Sequence, residues 1–196
     1  MDKKTIVVAS ANKGKLREIS EMLPDFNVIG YKDAGLNFDI EETGKTFREN
    51  ALIKARAVCA ALNLPALADD SGLCVDALGG APGIYSARYS DGGDDGNIDK
   101  LLAEMENVKE PAKRKAKFVC SMAYCTPDGK TVFADGETHG RILRKRSGKH
   151  GFGYDPVFYS DDLKKSMGLA DDAEKNSVSH RGRALKKIIA EIAKTM

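Results

Sequence analysis

Five segments of this chain carry residue types able to bind phosphate, a divalent cation or a flat ring. The first is Ser10-Ala11-Asn12-Lys13-Gly14-Lys15. It follows a β-branched, apolar run, Thr5 to Ala9, and opens a stretch with Leu16, Ile19 and Leu23 at helical spacing. Free backbone N–H groups and the dipole at a helix N-terminus attract anions. Lys13 and Lys15 add charge, and Ser10 and Asn12 add hydrogen-bonding groups. The segment is half of a phosphate loop and not a Walker A sequence: the upstream glycine is missing, and Leu16 stands where Ser or Thr belongs. Read alone, it fits a polar surface turn better than a site.

The second segment, Asp69-Asp70-Ser71-Gly72, follows a short apolar run, Ala66 to Ala68. Adjacent carboxylates at a strand end point to opposite sides, so one can face a ligand. Carboxylates, water and substrate phosphates together are the usual holders of Mg2+; the alternative is a polar turn. Glu41-Glu42 supplies further carboxylates ahead of a helix, or two solvated acids. On that helix Lys54 lies one position from the apolar stripe, either aimed at a ligand or snorkelling at the flank.

The fourth segment is Gly151-Phe152-Gly153-Tyr154-Asp155-Pro156. Its glycines allow close backbone approach to a planar ligand, and its aromatic faces can stack on a base; a tight turn with packed rings fits the same residues. The fifth is Lys175, then Ser179-His180-Arg181-Gly182 at the start of the last helical stretch. No Ser/His/Asp triad emerges, because His139, His150 and His180 have no nucleophile-elbow sequence beside them. The basic run Arg114 to Lys117 alternates with apolar residues and is expected on a solvated strand face. The run Arg141 to Lys149 is expected in a surface loop before the aromatic turn.

The elements that must carry these residues follow from spacing. A helix is predicted over Lys13 to Leu23, ended by Pro24, and a strand over Asn27 to Tyr31. A second helix is predicted from Thr46 to about Asn63. Thr46-Phe47-Arg48-Glu49 is a capping box there, and Phe47, Ala51, Ala55, Val58 and Leu62 form one apolar face. Short strands are expected at 66–68 and 73–78, separated by the acidic turn, then a Gly-rich loop over 79–96. A helix carries Ile98, Leu101, Leu102, Met105 and Val108. Alternating residues 116–124 and the run 131–134 form strands joined by the Pro127-Asp128-Gly129 turn. A last helix starts near Ser179. Helices alternating with strands, then a long hairpin, predict an α/β domain with a mixed sheet spanning residues 1–196.

Composition narrows the function classes. A 196-residue chain with 31 basic and 29 acidic residues has a net charge of +2, without the basic excess of a nucleic-acid binder. Hydrophobic residues at 42% exclude a disordered chain. The longest uncharged stretch, Ala57 to Ala68, has 12 residues, against about 20 for a membrane span. Cys59, Cys74, Cys120 and Cys125 show no C-x-x-C spacing and are expected as free thiols in a reducing compartment, which implies the cytoplasm.

Taken together and in order, the segments resemble the non-canonical purine nucleoside triphosphate pyrophosphatases, the inosine triphosphatase family. The matching stretches are 10–15, Glu-Glu-Thr-Gly at 41–44, Phe-Arg-Glu-Asn-Ala with Lys54, and Ala-Asp-Asp-Ser-Gly-Leu at 68–73. They continue with 79–89, Gly-Phe-Gly-Tyr-Asp-Pro-Val-Phe at 151–158 and Ser-His-Arg-Gly-Arg-Ala-Leu at 179–185. The resemblance implies a two-lobed single domain on a long, twisted mixed sheet, with the active site in the cleft between lobes. It implies hydrolysis of ITP, dITP and XTP to the monophosphate and pyrophosphate, with Mg2+, in a homodimer; the charge, cysteine and hydropathy readings above add the expectation of a cytoplasmic protein that binds neither nucleic acid nor membrane. Carried over by position, Ser10, Ala11, Asn12, Lys13, Gly14, Lys15 and Lys54 hold the triphosphate. Asp70 is the proton acceptor and a metal ligand, Glu41 is a second metal ligand, and Ser71 touches substrate. Phe152, Gly153, Tyr154, Asp155, Lys175, His180 and Arg181 surround the nucleoside. Two features depart from the family pattern: the strongly basic approach 144–150, and Tyr154 where some members carry Trp. A phosphatase releasing orthophosphate and a non-catalytic purine nucleotide-binding module are the competing readings.

Overall fold

The computed structural model describes residues 3–194. Its elements are β1 (Lys4–Val8), α1 (Lys13–Met22), β2 (Phe26–Gly30), α2 (Phe47–Leu62), β3 (Ala66–Val75), α3 (Gly93–Glu104), β4 (Lys115–Cys125) and β5 (Thr131–Ile142). They continue with β6 (Phe158–Ser160), β7 (Lys165–Ser166), α4 (Asp172–Val178) and α5 (His180–Ala193). The strands form one seven-stranded sheet in the order β2-β1-β3-β4-β5-β6-β7. β1 pairs in parallel with β2 and β3, whereas β6 pairs antiparallel with β5 and β7, so the sheet is mixed as expected.

Two compact units share the chain. The first comprises 1–70, 120–136 and 181–196; the second comprises 71–119 and 137–180. The first has a core around Val7, Ala51, Ala55, Val58 and Ala68, and another around Val8, Ile19, Leu67, Met122 and Ile188. The second is built on Leu73, Leu101, Met105, Phe118, Tyr154 and Phe158. Cys120 and Cys125 fall in different clusters of the first unit, as the odd spacing along β4 requires. All four cysteines are free, and only Cys74 is partly exposed. Among the described residues no helix is long and apolar enough to cross a membrane.

Helix ends follow local chemistry. Asn12 caps α1 by accepting from the Lys15 N–H, and Thr46 caps α2 by accepting from the Glu49 N–H. The capping box at α2 is only half formed. The Glu49 carboxylate accepts from the Lys45 N–H, one residue before the predicted partner, and so holds the incoming loop. Asn63 ends α2 in the left-handed conformation at φ 50°.

Several expectations are corrected. Asp69-Asp70-Ser71-Gly72 is not a turn: β3 runs unbroken for 10 residues through it. Polar letters suggested a break, but the pairing of buried charge described below lets the strand continue. The Gly-rich loop contains a 3₁₀ helix at Gly83–Arg88, and α3 begins at Gly93, before its apolar periodicity starts. The strand predicted at 131–134 extends to Ile142, and α4, opened by a capping box between Asp171 and Glu174, has no counterpart among the predicted elements. Arg114 is not on a solvated face. It is 3% exposed and donates to four backbone carbonyls: those of Met105 and Val108 at 2.7 Å, Ile142 at 2.7 Å and Leu143 at 3.0 Å. It gathers the end of α3 and the end of β5 in the second unit.

Replacing Arg114 with Leu strands four backbone carbonyls, two of them buried. An unsatisfied buried acceptor costs about 1–3 kcal/mol, so Arg114→Leu should lose at least about 3 kcal/mol in urea unfolding, while Lys115→Ala next to it stays within about 0.5 kcal/mol of the parent. Equal midpoints for the two variants would show that Arg114 does not tie these ends together.

Candidate active site

Alternation along β3 decides the geometry of the first unit. Asp69 and Asp70 are consecutive in a strand, so their side chains leave opposite faces. Both are buried, at 0% and 6% exposure, where an unpaired carboxylate would be very costly. Each is met by cations from a different element.

Asp69 accepts from Arg181 Nε and Nη2, at 3.3 and 3.0 Å, and pairs with Lys15 Nζ at 3.1 Å. Arg181 also pairs with Glu18 through Nη1. Glu18, Arg181, Asp69 and Lys15 thus form a chain of alternating charge from α1, through the start of α5, to β3. Burial pushes the Asp69 carboxyl up, but Lys15, Arg181 and Lys54 overcome it and hold it well below the usual carboxylate range. The Arg181 guanidinium is destabilised by burial, yet Asp69 and Glu18 more than restore its charge.

On the other face, Asp70 Oδ1 lies 3.3 Å from Lys54 Nζ, and Asp70 Oδ2 accepts from Asn50 Nδ2 at 3.1 Å. Lys54 Nζ also reaches Glu42 Oε1 at 2.6 Å, and Asn50 Oδ1 accepts from the Gly44 N–H at 2.8 Å. Burial is the largest influence on Asp70 and prevails, raising its pKa against the pull of Lys54 and Lys15; Glu42 adds to the rise. For Lys54 burial works against the charge, but Asp70, Asp69 and Glu42 outweigh it and raise the pKa.

The sequence-predicted residues fall out as follows in this unit. Ser10, Ala11 and Asn12 form the β1–α1 turn, and Lys13 and Gly14 open α1. Ser10 Oγ accepts from the Asn12 N–H, while Lys13 stays exposed and Lys15 turns inward to Asp69. Lys54 is buried among carboxylates and does not snorkel. Glu41 is exposed, and it is Glu42 that faces Lys54. Neighbouring side chains in an extended loop diverge, so the step of one residue moves the acid from solvent to Lys54. Arg181 spends its guanidinium on Asp69 and Glu18. Sequence reading gave no site role to Asn50, although it lies in a matching stretch, or to Glu18. Asn50 lies four residues before Lys54, and Glu18 three after Lys15, so helical spacing alone places each beside its lysine.

The second unit holds the remaining candidates. Ser71, half-buried, follows Asp70 in β3. Asp155 opens a 3₁₀ turn; its Oδ2 accepts from the Phe152 N–H at 2.9 Å and pairs with the buried Lys175 ammonium from α4. Lys175 Nζ also sits 4.5 Å from the centre of the Phe152 ring. Gly151 is required here: at φ 77° a side chain is strained, and a Cβ would come within 2.1 Å of the Asp155 carboxylate. Tyr154 Oη donates to the Ser86 carbonyl at 2.9 Å, and the Gly153 N–H donates to Asp94 at 2.9 Å. His180 stacks on Phe118 with ring centres 4.8 Å apart. Aromatic face and exposed glycine backbone therefore share one loop, and the buried cation of α4 packs against it.

A profile of the Ham1 family matches residues 6–191. The chain belongs to the Ham1 family. Among its relatives, a dITP/XTP pyrophosphatase of Bacillus anthracis is 47% identical over 195 residues, covering 96% of each chain. One from Staphylococcus aureus (strain MRSA252) is 44% identical over 192 residues, covering 97% of each. The solved structure of a Staphylococcus aureus Ham1 protein superposes with a TM-score of 0.86 at 42% identity, covering 98% of this chain and all of that one. A Coxiella burnetii HAM1 protein gives 0.86 at 40%, covering 97% and 99%. The sequence resemblance and the Ham1 fold therefore agree.

Cutting the buried charge chain should cost stability. Arg181→Leu leaves Glu18 and Asp69 as buried carboxylates without their guanidinium, and breaking such a pair typically costs about 3–5 kcal/mol. Chemical denaturation of Arg181→Leu should show a loss of that order; an unchanged midpoint would mean that the chain of charges does not hold the first unit together.

Proposed function

We propose that this Ham1 protein hydrolyses the triphosphates of non-canonical purine nucleosides (ITP, dITP and XTP) to the monophosphate and pyrophosphate. The observation that carries the reading is Asp70: a buried carboxylate, gripped by Asn50 and Lys54, in a chain alike over nearly its full length to dITP/XTP pyrophosphatases.

The donor set fits Mg2+. Asp70 and Glu42 present hard carboxylate oxygens to one and the same ammonium, Lys54, and so surround a position that tolerates positive charge. Among the described residues no three His, Cys, Asp or Glu side chains gather as a self-sufficient metal cage. A site of one or two carboxylates completed by water and phosphate is the usual arrangement for this ion. Asp70 and Glu42 would hold it, and when bound it would neutralise charge on the phosphates.

Asp70 acts as the base, taking the proton from a water aligned for attack on the α-phosphorus. Lys13, Lys15, Lys54 and the backbone N–H groups at the start of α1 stabilise charge on the departing pyrophosphate. Phe152 supplies a ring face for the purine, and Tyr154, packed in the core of the second unit, braces that loop. Lys175 and the N–H groups near His180 donate to its 6-oxygen, which hypoxanthine and xanthine possess and adenine lacks. An amino group there would set donor against donor, at about 1–3 kcal/mol per unsatisfied group. Asp155 and the Phe152 ring hold Lys175 in place. A single domain over residues 1–196, working as a cytoplasmic homodimer without nucleic acid or membrane, completes the reading.

Incubating the purified protein with Mg2+ and ITP, dITP, XTP, GTP or ATP should give monophosphate and pyrophosphate from the first three, with little from ATP; guanine shares the 6-oxygen, so turnover of GTP reads out whether contacts other than Lys175 select the base. Orthophosphate would indicate attack at the γ-phosphorus and a phosphatase; binding without turnover would indicate a nucleotide-binding module. EDTA should abolish turnover, and Mg2+ should restore it. Asp70→Asn should lower kcat at least about 100-fold with little change in KM, and near-parental turnover would remove Asp70 as the base. Lys175→Met should lower kcat/KM for ITP and narrow its lead over ATP by about 10-fold or more; an unchanged ratio would place base selection elsewhere.

A further inference from the structure

Asn50 is wholly buried, at 0% exposure, on α2. A buried side-chain amide must satisfy a donor end and an acceptor end. Its Nδ2 donates to Asp70 Oδ2 at 3.1 Å, and its Oδ1 accepts from the Gly44 N–H at 2.8 Å. One helical turn on, Lys54 repeats the pattern with charge: Nζ reaches Asp70 Oδ1 at 3.3 Å and Glu42 Oε1 at 2.6 Å. The i, i+4 pair on α2 therefore places one donor on each oxygen of the same carboxylate, and each partner also grips the loop that carries the acids. The loop seat is tight: a Cβ on Gly44 would come within 2.6 Å of Asn50 Oδ1 and 2.7 Å of the Glu49 Cβ.

We infer that Asn50 is a positioning residue for the reaction: its amide fixes the rotation of the Asp70 carboxylate while its carbonyl seats the 42–44 loop, so that base and acidic loop are set by one side chain. Lys54 alone would leave Asp70 free to turn about its Cβ–Cγ bond, because a single contact defines no plane. With Asn50 on the second oxygen the plane is defined, and the outer lone pairs of both oxygens keep one direction. The role rests on the pyrophosphatase reading above.

Two substitutions separate the two ends of the amide. Asn50→Leu matches the volume and removes both bonds. Asn50→Asp keeps an acceptor for the Gly44 N–H and loses the donor to Asp70. Pyrophosphate release from dITP with Mg2+ should show kcat reduced about 100-fold in both, the usual scale for a misaligned reacting group, with KM within about threefold of the parent. In an Asp70→Asn background Asn50→Leu should add little, since both act through the same carboxylate. Independently of turnover, the Asn50 side-chain amide resonance in a 15N–1H spectrum of the parent should move on Asp70→Asn. Parental kcat in Asn50→Asp, effects that multiply in the double variant, or an unmoved amide resonance would each overturn the role. A parent protein that releases no pyrophosphate from dITP would instead overturn the pyrophosphatase reading, and this role with it, while the amide spectrum still reports the contact.

Discussion

Everything in the first unit answers to one constraint: two carboxylates stand side by side in the middle of a buried strand. Neighbours in a strand cannot share a partner, because they face opposite sides of the sheet. Asp69 and Asp70 therefore need separate sets of donors. α1 and α5 supply Lys15 and Arg181 on one side; α2 supplies Asn50 and Lys54 on the other. The two sets differ in character. Asp69 is surrounded by enough cations to stay ionised in spite of complete burial, which suits a fixed structural anion. Asp70 is left with its affinity for protons raised, which suits the proton-accepting role proposed for it.

The second unit solves a different problem with different means. There a loop must bring ring faces and backbone close together without collapsing, and small residues do that work. Gly151 makes room for the Asp155 carboxylate, which in turn ties the Phe152 N–H and the Lys175 ammonium. Tyr154 is anchored through its hydroxyl to the Ser86 carbonyl. A tyrosine here is thus more than a smaller tryptophan: an indole N–H sits elsewhere on the ring, so the anchoring carbonyl would have to differ as well.

Much of this was legible in the sequence, and the failures share a cause. Helices with a strong apolar stripe, α1 and α2, were placed to within a residue or two, and so was the turn that precedes α1. β3 was broken in two because charged letters in a strand read as an exit to solvent; only partners 54, 112 and 16 positions away in sequence make them tolerable, and no local pattern shows those. Arg114 was assigned to solvent for the same reason, its carbonyl partners being backbone atoms that sequence does not spell out. Glu41 and Glu42 are indistinguishable by type, and the direction of an irregular loop decides which one meets Lys54. α4 is too short to display a periodicity, although its capping box was visible in Asp171 and Glu174.

Within the unusual basic stretch before the aromatic turn, Arg146 is tethered. Arg146 is engaged with Asp99 at 2.7 Å and Asp95 at 3.4 Å on α3, and Asp94 on the same helix receives the Gly153 N–H. These acids are exposed, so the tether works at high dielectric and is screened over about 8–10 Å at ordinary salt. The ion pairs around Asp69 and Asp70 lie out of reach of that screening. Ionic strength is therefore a selective solvent variable for this molecule: raising it loosens the seat of the 144–153 loop while leaving the buried carboxylates and their partners as they are.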